Sequence, residues 1–320
     1  MVTKSKSGIG ALLFSMLLIG MMVFVPVVSA SFEKANEQQM PEKVKEWIEE
    51  NTVDEATKIW RGEQAEQWMQ DHTIYVTSTT TYKYCNGQLE IKEVYTSKDP
   101  ENKAKINDFT KTSKIPISTK DKITTLNGES FTLEEGNKKV LVTEKAVVIT
   151  SQTDPYPWWD YGYQYPQWTW SEDNGQYARE DPINLAWECT NLNTVKSVIL
   201  DHGWKDNIFE YTYYVSDPVY GWIEDDGVAT DEERYFGGYH TRLFELNNGD
   251  VVGGAHHDDP FPHEADEFET AEDVVAEFFD GNVNNWWVLY DHRELDNEVG
   301  TPNIEPWNDG KATCIYNVGS

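Results

Sequence analysis

The stretch that most constrains the fold is a hairpin pattern in which two apolar-rich runs, YHTRLFEL and VVGGAHH, flank Asn248-Gly249. Asn-Gly favours a two-residue type I′ turn, because both central residues of that turn need a positive φ. Such a turn fixes the pairing of the two strands and places His240 directly opposite His257. We therefore predict a tight antiparallel hairpin with two imidazoles at its open end.

This register places His240, Arg242 and His257 on one face of the hairpin, with the Cβ atoms of opposed residues about 4.5–5.5 Å apart. Acidic residues and a further histidine follow within one loop. The candidate metal ligands are therefore His240, His257, His263 and Asp266, and the candidate catalytic residues are Arg242, His240 and Asp258.

Three interpretations of this cluster are open. Mixed imidazole and carboxylate ligands suit zinc, manganese or iron, and a bound divalent metal ion could activate water while Arg242 holds a phosphoryl oxygen. A metal-free acid–base site could instead use a histidine whose basicity is raised by a neighbouring carboxylate. The third interpretation is a structural or loosely cation-binding cluster. Established patterns give no further direction, since HExxH, GxSxG, the P-loop and GxGxxG are all absent from the sequence.

Residues 1–30 have the pattern of a secretory signal. Lys4 and Lys6 precede an apolar run over residues 11–28, and small residues lead to Ala30. We predict export to the extracellular space or the cell surface, with cleavage after Ala30. A retained N-terminal anchor is the alternative, since the apolar run approaches the roughly 20 residues that span a bilayer.

The charge of the chain is strongly negative and uneven. It carries 26 Lys+Arg and 56 Asp+Glu residues, a formal net charge of −30. Residues 181–320 hold 6 basic and 30 acidic residues, a net −24, whereas residues 31–150 hold 17 and 21, a net −4. This field argues against nucleic acid and against an anionic membrane surface as partners, because phosphate binding depends on Lys and Arg. It favours cations or a basic protein partner.

The rest of the chain divides into segments of different pattern. Residues 31–72 carry helix formers with apolar residues at helical spacing and predict one or two amphipathic helices. Residues 73–150 are rich in Thr, Val and Tyr and predict a small antiparallel β module, with Asn86-Gly87 among its turns. An aromatic-rich linker over residues 151–180 then leads to an acidic domain over residues 181–320.

The linker contains a dense run of Trp and Tyr residues between Tyr156 and Trp170, interleaved with Pro and Gly. Exposed aromatic rings of this kind could stack on the sugar rings of a carbohydrate partner. We favour the other interpretation, in which the segment is a strap that covers a neighbouring domain, because aromatic side chains usually act through burial.

Residues 181–320 predict the element order β-α-β-β-α-β. PINLAWE gives the first strand, and Asn191 caps a helix that stops at Gly203. The hairpin follows, then a helix with Thr270 as its N-cap, then WWVLYDH and the last strand KATCIYNV, with an extra segment at 284–311. We therefore expect an α+β protein whose C-terminal domain is a split β-α-β, or ferredoxin-like, fold, preceded by a helical segment and a small antiparallel β module.

The three cysteines, Cys85, Cys189 and Cys314, bear on this topology. In the split arrangement the first and last strands are antiparallel neighbours, so the end of the first strand lies beside the start of the last. Cys189 follows the first strand and Cys314 opens the last. Because an exported chain can form disulfides, we predict a Cys189–Cys314 bridge, with Cys85 left as a thiol.

The C-terminal sequence also resembles a known family. The order PINLAWECTNLNTVKSVILDHGW, HTRLFEL, GGAHHDD and a His263-x-x-Asp266 segment that leads into a helix is similar to the LssY C-terminal-like domain family over about residues 180–280. That family is an accessory domain often attached to membrane-embedded proteins of the phosphatidic-acid-phosphatase type, with no established activity. The resemblance implies no mechanism, but it directs attention to His240, Arg242, Asp258 and His263.

These features predict a secreted or cell-surface acidic protein that acts as an extracellular binding or interaction module. The alternative is a metal-dependent hydrolase of the phosphoesterase type that uses the His/Asp cluster at 240–266. The two differ in one geometric respect, which is whether His240, His257 and His263 converge on a common point or diverge.

Overall fold

The structure is a computed structural model that describes residues 40–106, 109–116, 123–124, 130–207, 212–225, 228–230, 238–258, 265–280, 285–302 and 304–319. Two of the sequence predictions, the secretory signal of residues 1–30 and the ligand role of His263, lie outside the described residues.

The helices in these ranges are α1 (Glu42–Asn51), α2 (Glu55–His72), α3 (Pro100–Ile106), α4 (Leu192–Asp201) and α5 (Phe268–Ala276). The strands of the N-terminal half are β1 (Thr73–Cys85), β2 (Gln88–Thr96), β3 (Thr110–Pro116), β4 (Ile123–Thr124), β5 (Ser130–Phe131), β6 (Lys138–Ser151), β7 (Trp168–Asp173), β8 (Gln176–Pro182) and β9 (Leu185–Glu188). Those that follow α4 are β10 (Lys205–Asn207), β11 (Tyr213–Asp217), β12 (Gly221–Glu224), β13 (Val228–Thr230), β14 (Gly238–Glu245), β15 (Val251–Asp258), β16 (Ala265–Asp266), β17 (Trp286–Glu294), β18 (Val299–Thr301), β19 (Ile304–Asn308) and β20 (Lys311–Asn317).

The chain divides into two units, Met1–Thr52 and Val53–Ser320. The described part of the first unit contains α1, which begins after Pro41 and buries Val44 and Trp47. All later elements belong to the second unit. Helices α1 and α2 lie within residues 40–72, the described part of the segment for which the sequence predicts one or two helices. No helix in the described ranges is long and apolar enough to cross a membrane.

The first sheet has eight strands in the order β12-β11-β7-β8-β6-β1-β2-β3, and every neighbouring pair is antiparallel. It is curled, and its two longest strands, β1 and β6, have 13 and 14 residues. The turn between β1 and β2 is the predicted Asn86-Gly87 dipeptide, with φ of 54° and 77° and Cys85 paired to Gln88. Positive φ at both central residues is the type I′ geometry that matches the twist of a two-residue hairpin.

The aromatic segment between β6 and β8 is buried. Tyr156, Tyr165 and Trp170 are each no more than 1% exposed, and the Trp158 indole nitrogen donates a hydrogen bond to the Ser216 carbonyl over 2.7 Å. Residues 151–180 include β7 and most of β8, so the segment contributes strands to the first sheet. Six of the eight Trp and Tyr side chains between Tyr156 and Trp170 are buried, and Trp159 and Tyr161 are partly buried.

The second sheet also has eight strands, in the order β10-β13-β14-β15-β9-β20-β17, with β16 added beside β15. Helices α4 and α5 cover one of its faces. Side chains from both helices and from the sheet share one core, whose members include Leu185, Trp187, Val195, Ile199, Leu243, Val251, Ala271, Val275 and Ile315. Asn191 caps α4 as predicted, since its side chain accepts a hydrogen bond from the Thr194 N–H. Helix α5 begins at Phe268, two residues before the predicted cap at Thr270.

The chain passes from the first sheet to the second between β8 and β9, at Asn184. This side chain is fully buried, and its amide nitrogen donates to the carbonyls of Ala255 and Phe268 over 3.0 and 3.2 Å. Its amide oxygen accepts the Ala255 N–H over 2.8 Å. One asparagine therefore ties the crossing point to β15 and to the first residue of α5.

The predicted α+β, split ferredoxin-like fold is wrong. The protein is mostly β, with an eight-stranded curled antiparallel sheet and a half-barrel. Four strands that the sequence analysis did not identify lie between α4 and the hairpin, and they go to different sheets: β11 and β12 to the first, β10 and β13 to the second. A ferredoxin-like domain has one four-stranded sheet and no place for such a division.

The predicted Cys189–Cys314 bridge follows from the wrong topology and is corrected with it. Strands β9 and β20 are parallel, with Ala186 paired to Cys314 and Glu188 paired to Tyr316. Parallel pairing puts the end of β9 beside the end of β20, so Cys189 lies three positions along the ladder from Cys314. All three cysteines are free thiols.

Candidate functional site

The hairpin of β14 and β15 forms as predicted, but its register differs by one residue. His240 pairs with His256, and Tyr239 pairs with His257. The connection is a three-residue loop closed by a hydrogen bond from the Leu246 N–H to the Asp250 carbonyl, 2.8 Å long. Gly249 is the loop residue with positive φ, 89°, which is the geometry of a type I turn followed by a left-handed glycine.

A contact from the first sheet accounts for the longer loop. The Asp217 carboxylate at the end of β11 accepts hydrogen bonds from the backbone and the side-chain nitrogens of Asn247, over 3.1 and 2.8 Å. Asp217 is 1% exposed, so these bonds are shielded from water. They hold Asn247 within the loop, whereas a two-residue turn would need it as the last paired residue of the strand.

The one-residue shift changes which side chains meet. One face of the hairpin now carries His240, Arg242, His256 and Asp258, and it points toward the first sheet. Asp258 lies between the two imidazoles, with Oδ2 at 3.4 Å from His240 Nε2 and Oδ1 at 3.3 Å from His256 Nε2. The two rings are roughly parallel, with centroids 5.8 Å apart. A carboxylate shared by two histidines is therefore the centre of this cluster.

Arg242 leads from the same face to the first sheet. Its Nη1 lies 2.5 Å from Asp225 Oδ2, and its guanidinium carbon lies 4.0 Å from the centroid of the Tyr213 ring. Asp225 also accepts the Tyr213 N–H through Oδ1, over 3.1 Å. Both stacking on a ring and pairing with a carboxylate suit a guanidinium. The three residues therefore form one ion-pair and cation–π unit that joins β14 to β11 and the end of β12.

Close approach of backbones completes this contact between the sheets. A Cβ on Gly254, which pairs with Arg242, would lie 3.0 Å from the Pro182 carbonyl oxygen. A side chain at this position would push the Pro182 backbone away by a few tenths of an ångström, so glycine favours the close approach of the sheets. The cluster is consequently enclosed, with His240, Arg242, Asp258 and His256 only 1, 2, 4 and 6% exposed.

Burial and charge set the protonation of these groups. Burial by itself would lower the pKa of His256, but the Asp258 carboxylate and the more distant Asp181 outweigh it, so the pKa lies above the usual 6.5. Burial raises the pKa of Asp225, and the Arg242 guanidinium opposes that increase. Burial likewise raises the pKa of Asp181. The buried charges of the cluster are therefore stabilised as ion pairs, Arg242 with Asp225 and His256 with Asp258.

The structure separates the predicted metal ligands. His257 lies on the opposite face of the hairpin from His240, with its ring 5.2 Å from that of Tyr239. The prediction that His240 and His257 share a face is therefore wrong, and the reason is the three-residue loop. Asp266 pairs with His257 through β16, and the structure describes its backbone alone.

Among the described residues, a single group of three His, Cys, Asp or Glu side chains brings one ligand atom from each within 4.8 Å of the others. That group is Glu269, Glu272 and Asp291, from α5 and β17. The residues of the histidine cluster are not part of it. None of these three residues was among the predicted site residues, and neither were His256 and Asp225. The Glu-x-x-Glu spacing at the start of α5 was the available signal, because residues three apart share a helix face.

Comparison of the chain with protein-family models, with curated proteins and with solved structures finds no match.

Proposed function

We propose that the protein is a secreted or cell-surface interaction module and that it associates with a second copy of itself through one face of the first sheet. The sequence of residues 1–30 supports export. The observation that carries the proposal is the exposure of apolar side chains on β1 and β6, where Tyr75, Val142 and Val140 are 75, 62 and 45% exposed.

These side chains belong to a continuous surface, which we call the open face. Strand pairing aligns every second residue of β6, β1 and β2, and the aligned residues include Tyr75, Thr77, Thr79, Thr81, Val94, Val140, Val142 and Ala146. The same face also carries charged residues, which are Lys83, Glu90, Lys92, Lys138 and Glu144. The other face of the same strands buries Ile74, Val76 and Tyr82. The charged and threonine side chains suit a solvated strand face, whereas the exposed valine and tyrosine side chains favour contact with another protein surface.

Charge supports a second copy as the occupant. The whole chain carries −30, so two copies repel one another over most of their surfaces. Residues 31–150, which contain the strands of the open face, carry only −4, against −24 for residues 181–320. The open face is therefore the place where two copies can approach with the least repulsion.

The area of the open face sets the expected strength. Nine residues of β1 at about 3.4 Å per residue, across three strands spaced about 4.8 Å apart, cover roughly 450 Å². Two copies would bury about 900 Å² in total, below the 1,200–2,000 Å² or so of stable interfaces. We expect weak association, with a dissociation constant of about 10–1,000 µM, which is suited to multivalent contact at a surface.

Sedimentation of the secreted chain from about 0.01 to 1 mM tests the proposal, at about 0.1 and 1 M NaCl. We expect a monomer–dimer equilibrium that salt strengthens, because screening reduces the repulsion between acidic copies. Val142→Lys should weaken association at least tenfold, whereas Val219→Lys, at a valine that is 68% exposed outside the open face, should leave it unchanged. A monomer at every concentration and salt would overturn the proposal.

Export has its own test. N-terminal sequencing of the protein recovered from the culture medium should begin at Ser31, which follows the small-residue site at Ala30. Recovery of the chain only in the cytoplasmic fraction would contradict this part of the proposal, whereas a membrane-bound chain with an intact N-terminus would favour the retained anchor.

The geometry gives less support to the alternative of a metal-dependent hydrolase. A phosphoesterase needs its metal ligands and its arginine to reach a substrate, but His240, Arg242 and Asp258 are at most 4% exposed and face the first sheet. Arg242 is already paired with Asp225, so its guanidinium is engaged. Among the residues described, no observation favours hydrolysis over binding.

A further inference from the structure

Three carboxylates converge at the beginning of α5, and none of them belongs to the histidine cluster of β14 and β15. Glu269 and Glu272 lie on one face of the helix, and Asp291 reaches them from β17. One oxygen of each lies within 4.8 Å of the other two. Like charges at this separation repel one another strongly when all three are ionised, so the group requires protons or a cation.

Glu272 is the unusual member, because it is only 2% exposed. Its Oε1 accepts the Thr313 N–H from β20 over 2.8 Å, which orients the carboxyl group. Its Oε2 is buried and has no hydrogen-bond partner among the described residues. A buried carboxyl oxygen without a partner costs free energy, and a structural role would be served better by an amide or an apolar side chain.

The backbone of β17 is distorted in a way that presents Asp291 to the other two. The register of β17 against β20 shifts between Leu289 and Arg293, and Asp291 has a φ of 47°. The Asp291 N–H donates to the Thr313 hydroxyl oxygen over 3.1 Å, so Thr313 holds both Asp291 and Glu272. Bulges of this kind redirect side chains and recur beside functional sites, and a positive φ at a non-glycine residue stores strain.

The surroundings add negative charge. Glu269 accepts the Asp309 N–H through Oε1 over 2.7 Å. Lys311 lies near the group, but its Nζ is 2.9 Å from Asp309 Oδ2, so its charge is shared with another carboxylate. Burial, together with the neighbouring carboxylates, raises the pKa of Glu269 to about 7. Burial raises the pKa of Glu272 well above its usual 4.5.

We propose that Glu269, Glu272 and Asp291 bind a divalent cation, with Ca²⁺ as the preferred ion. The ligands are all carboxylate oxygens, which are the donors that hard cations select. Three carboxylates on one ion suit Ca²⁺, which takes six to eight oxygens, better than Mg²⁺, which keeps several waters and binds through one or two carboxylates. Asp291 is exposed and Glu269 half-buried, so the ion can enter from solvent and water can complete its coordination.

The site is independent of the open face and concerns what stabilises the acidic C-terminal region. A cation here joins α5 to β17, and Thr313 connects Glu272 and Asp291 to β20, the strand between β9 and β17. Binding to the folded chain alone raises its stability in proportion to the logarithm of the ion concentration.

The test uses the secreted full chain after treatment with a chelator. Titration calorimetry with CaCl₂ should show one site per chain with a dissociation constant of about 0.1–1 mM, as in extracellular calcium modules. In about 10 mM CaCl₂ the melting temperature should rise by roughly 3–8 °C. The same concentration of MgCl₂ should give a smaller shift.

Glu272→Gln is the decisive variant, because it keeps the shape and the oxygen that accepts the Thr313 N–H while it removes the charge. We expect an unchanged or higher melting temperature without calcium and a loss of the calcium-dependent shift. Glu277→Gln, at an exposed residue that ends the same helix outside the group, is the matched control and should keep the shift. If Glu272→Gln does not fold, Asp291→Asn serves in its place.

Two results would overturn the proposal. The first is the absence of both calcium heat and a melting shift in the wild-type chain, which would mean that the carboxylates share a proton instead. The second is an equal shift in the wild type, in Glu272→Gln and in Asp291→Asn, which would mean diffuse binding to the acidic surface. Neither result bears on dimerisation through the open face.

Discussion

Replacement of Arg242 by methionine separates a structural arginine from one that binds a ligand. The Arg242 and Asp225 side chains are 2 and 6% exposed, with 2.5 Å between Nη1 and Oδ2. Removing the guanidinium leaves a buried carboxylate without its partner and removes the stacking on Tyr213. Loss of one member of a buried ion pair costs about 3–5 kcal/mol. For a folded unit of this size, that corresponds to a fall in melting temperature of roughly 6–20 °C.

The assay is urea unfolding of a double-mutant cycle. Asp225→Asn in the Arg242→Met background should recover part of the loss, since it removes the uncompensated charge, and the coupling energy should reach about 1–3 kcal/mol. Lys196→Met is the control, because its partner Asp206 is 58% exposed and a pair of this kind is worth about 0–1 kcal/mol. A loss below about 1 kcal/mol for Arg242→Met would refute the structural role and return Arg242 to the candidates for ligand binding.

Three further outcomes follow from the same contacts. NMR titration should give His256 a pKa above 6.5, and Asp258→Asn should lower that pKa. Because the folded-state pKa is raised, the pair contributes its full stability below pH 6.5 and loses it as the pH rises through the folded-state pKa. An unchanged pKa in the variant would contradict the role of Asp258. Asn184→Ala should destabilise the protein by about 2–4 kcal/mol in urea unfolding, because it leaves a buried N–H and two buried carbonyls unpaired. A loss below about 1 kcal/mol would argue that Asn184 does not hold β15 and α5 together. Iodoacetamide should modify the exposed Cys189 in the native protein, but it should reach Cys314, whose pKa is raised by burial, only after unfolding. A peptide map in which the two cysteines are linked would contradict this result and support the Cys189–Cys314 disulfide.

Local signals in the sequence predicted the elements better than their assembly. Asn191 and the apolar spacing that follows it identified α4, and the Thr- and Val-rich runs identified β1, β2 and β6. These features depend on contacts within a few residues. The dense aromatic run was correctly interpreted as buried, because rings of that size rarely stay in water as a group.

The hairpin shows why register was not predictable from the turn dipeptide alone. Asn86-Gly87 forms the two-residue turn that its sequence favours, whereas Asn248-Gly249 belongs to a three-residue loop. The difference lies in Asp217, which binds Asn247 from another sheet and is 30 residues distant in sequence. A one-residue shift moves every side chain of a strand to the other face, so the three-residue loop that Asp217 holds places His256, and not His257, beside His240.

The carboxylate group shows a second limit. Glu269 and Glu272 could be assigned to one helix face from the sequence, but Asp291 joins them only because β17 is distorted and lies beside β20. The predicted topology placed the last strand antiparallel to the first and therefore gave no reason to bring these acids together. The sequence shows that these residues are acidic, but their proximity depends on strand pairing between distant parts of the chain.

The position of β20 has a consequence for how the protein is made. This strand, the last in the described chain, lies between β9 and β17 and pairs with residues 185–188, about 128 positions earlier. Until β20 pairs, β17 is separate from the other strands of the second sheet, and α4 and α5 have an incomplete surface to pack on. Contacts of such long range form slowly. Loss of β20 would separate β17 from the rest of the second sheet and remove Ile315 from the core that this sheet shares with α4 and α5.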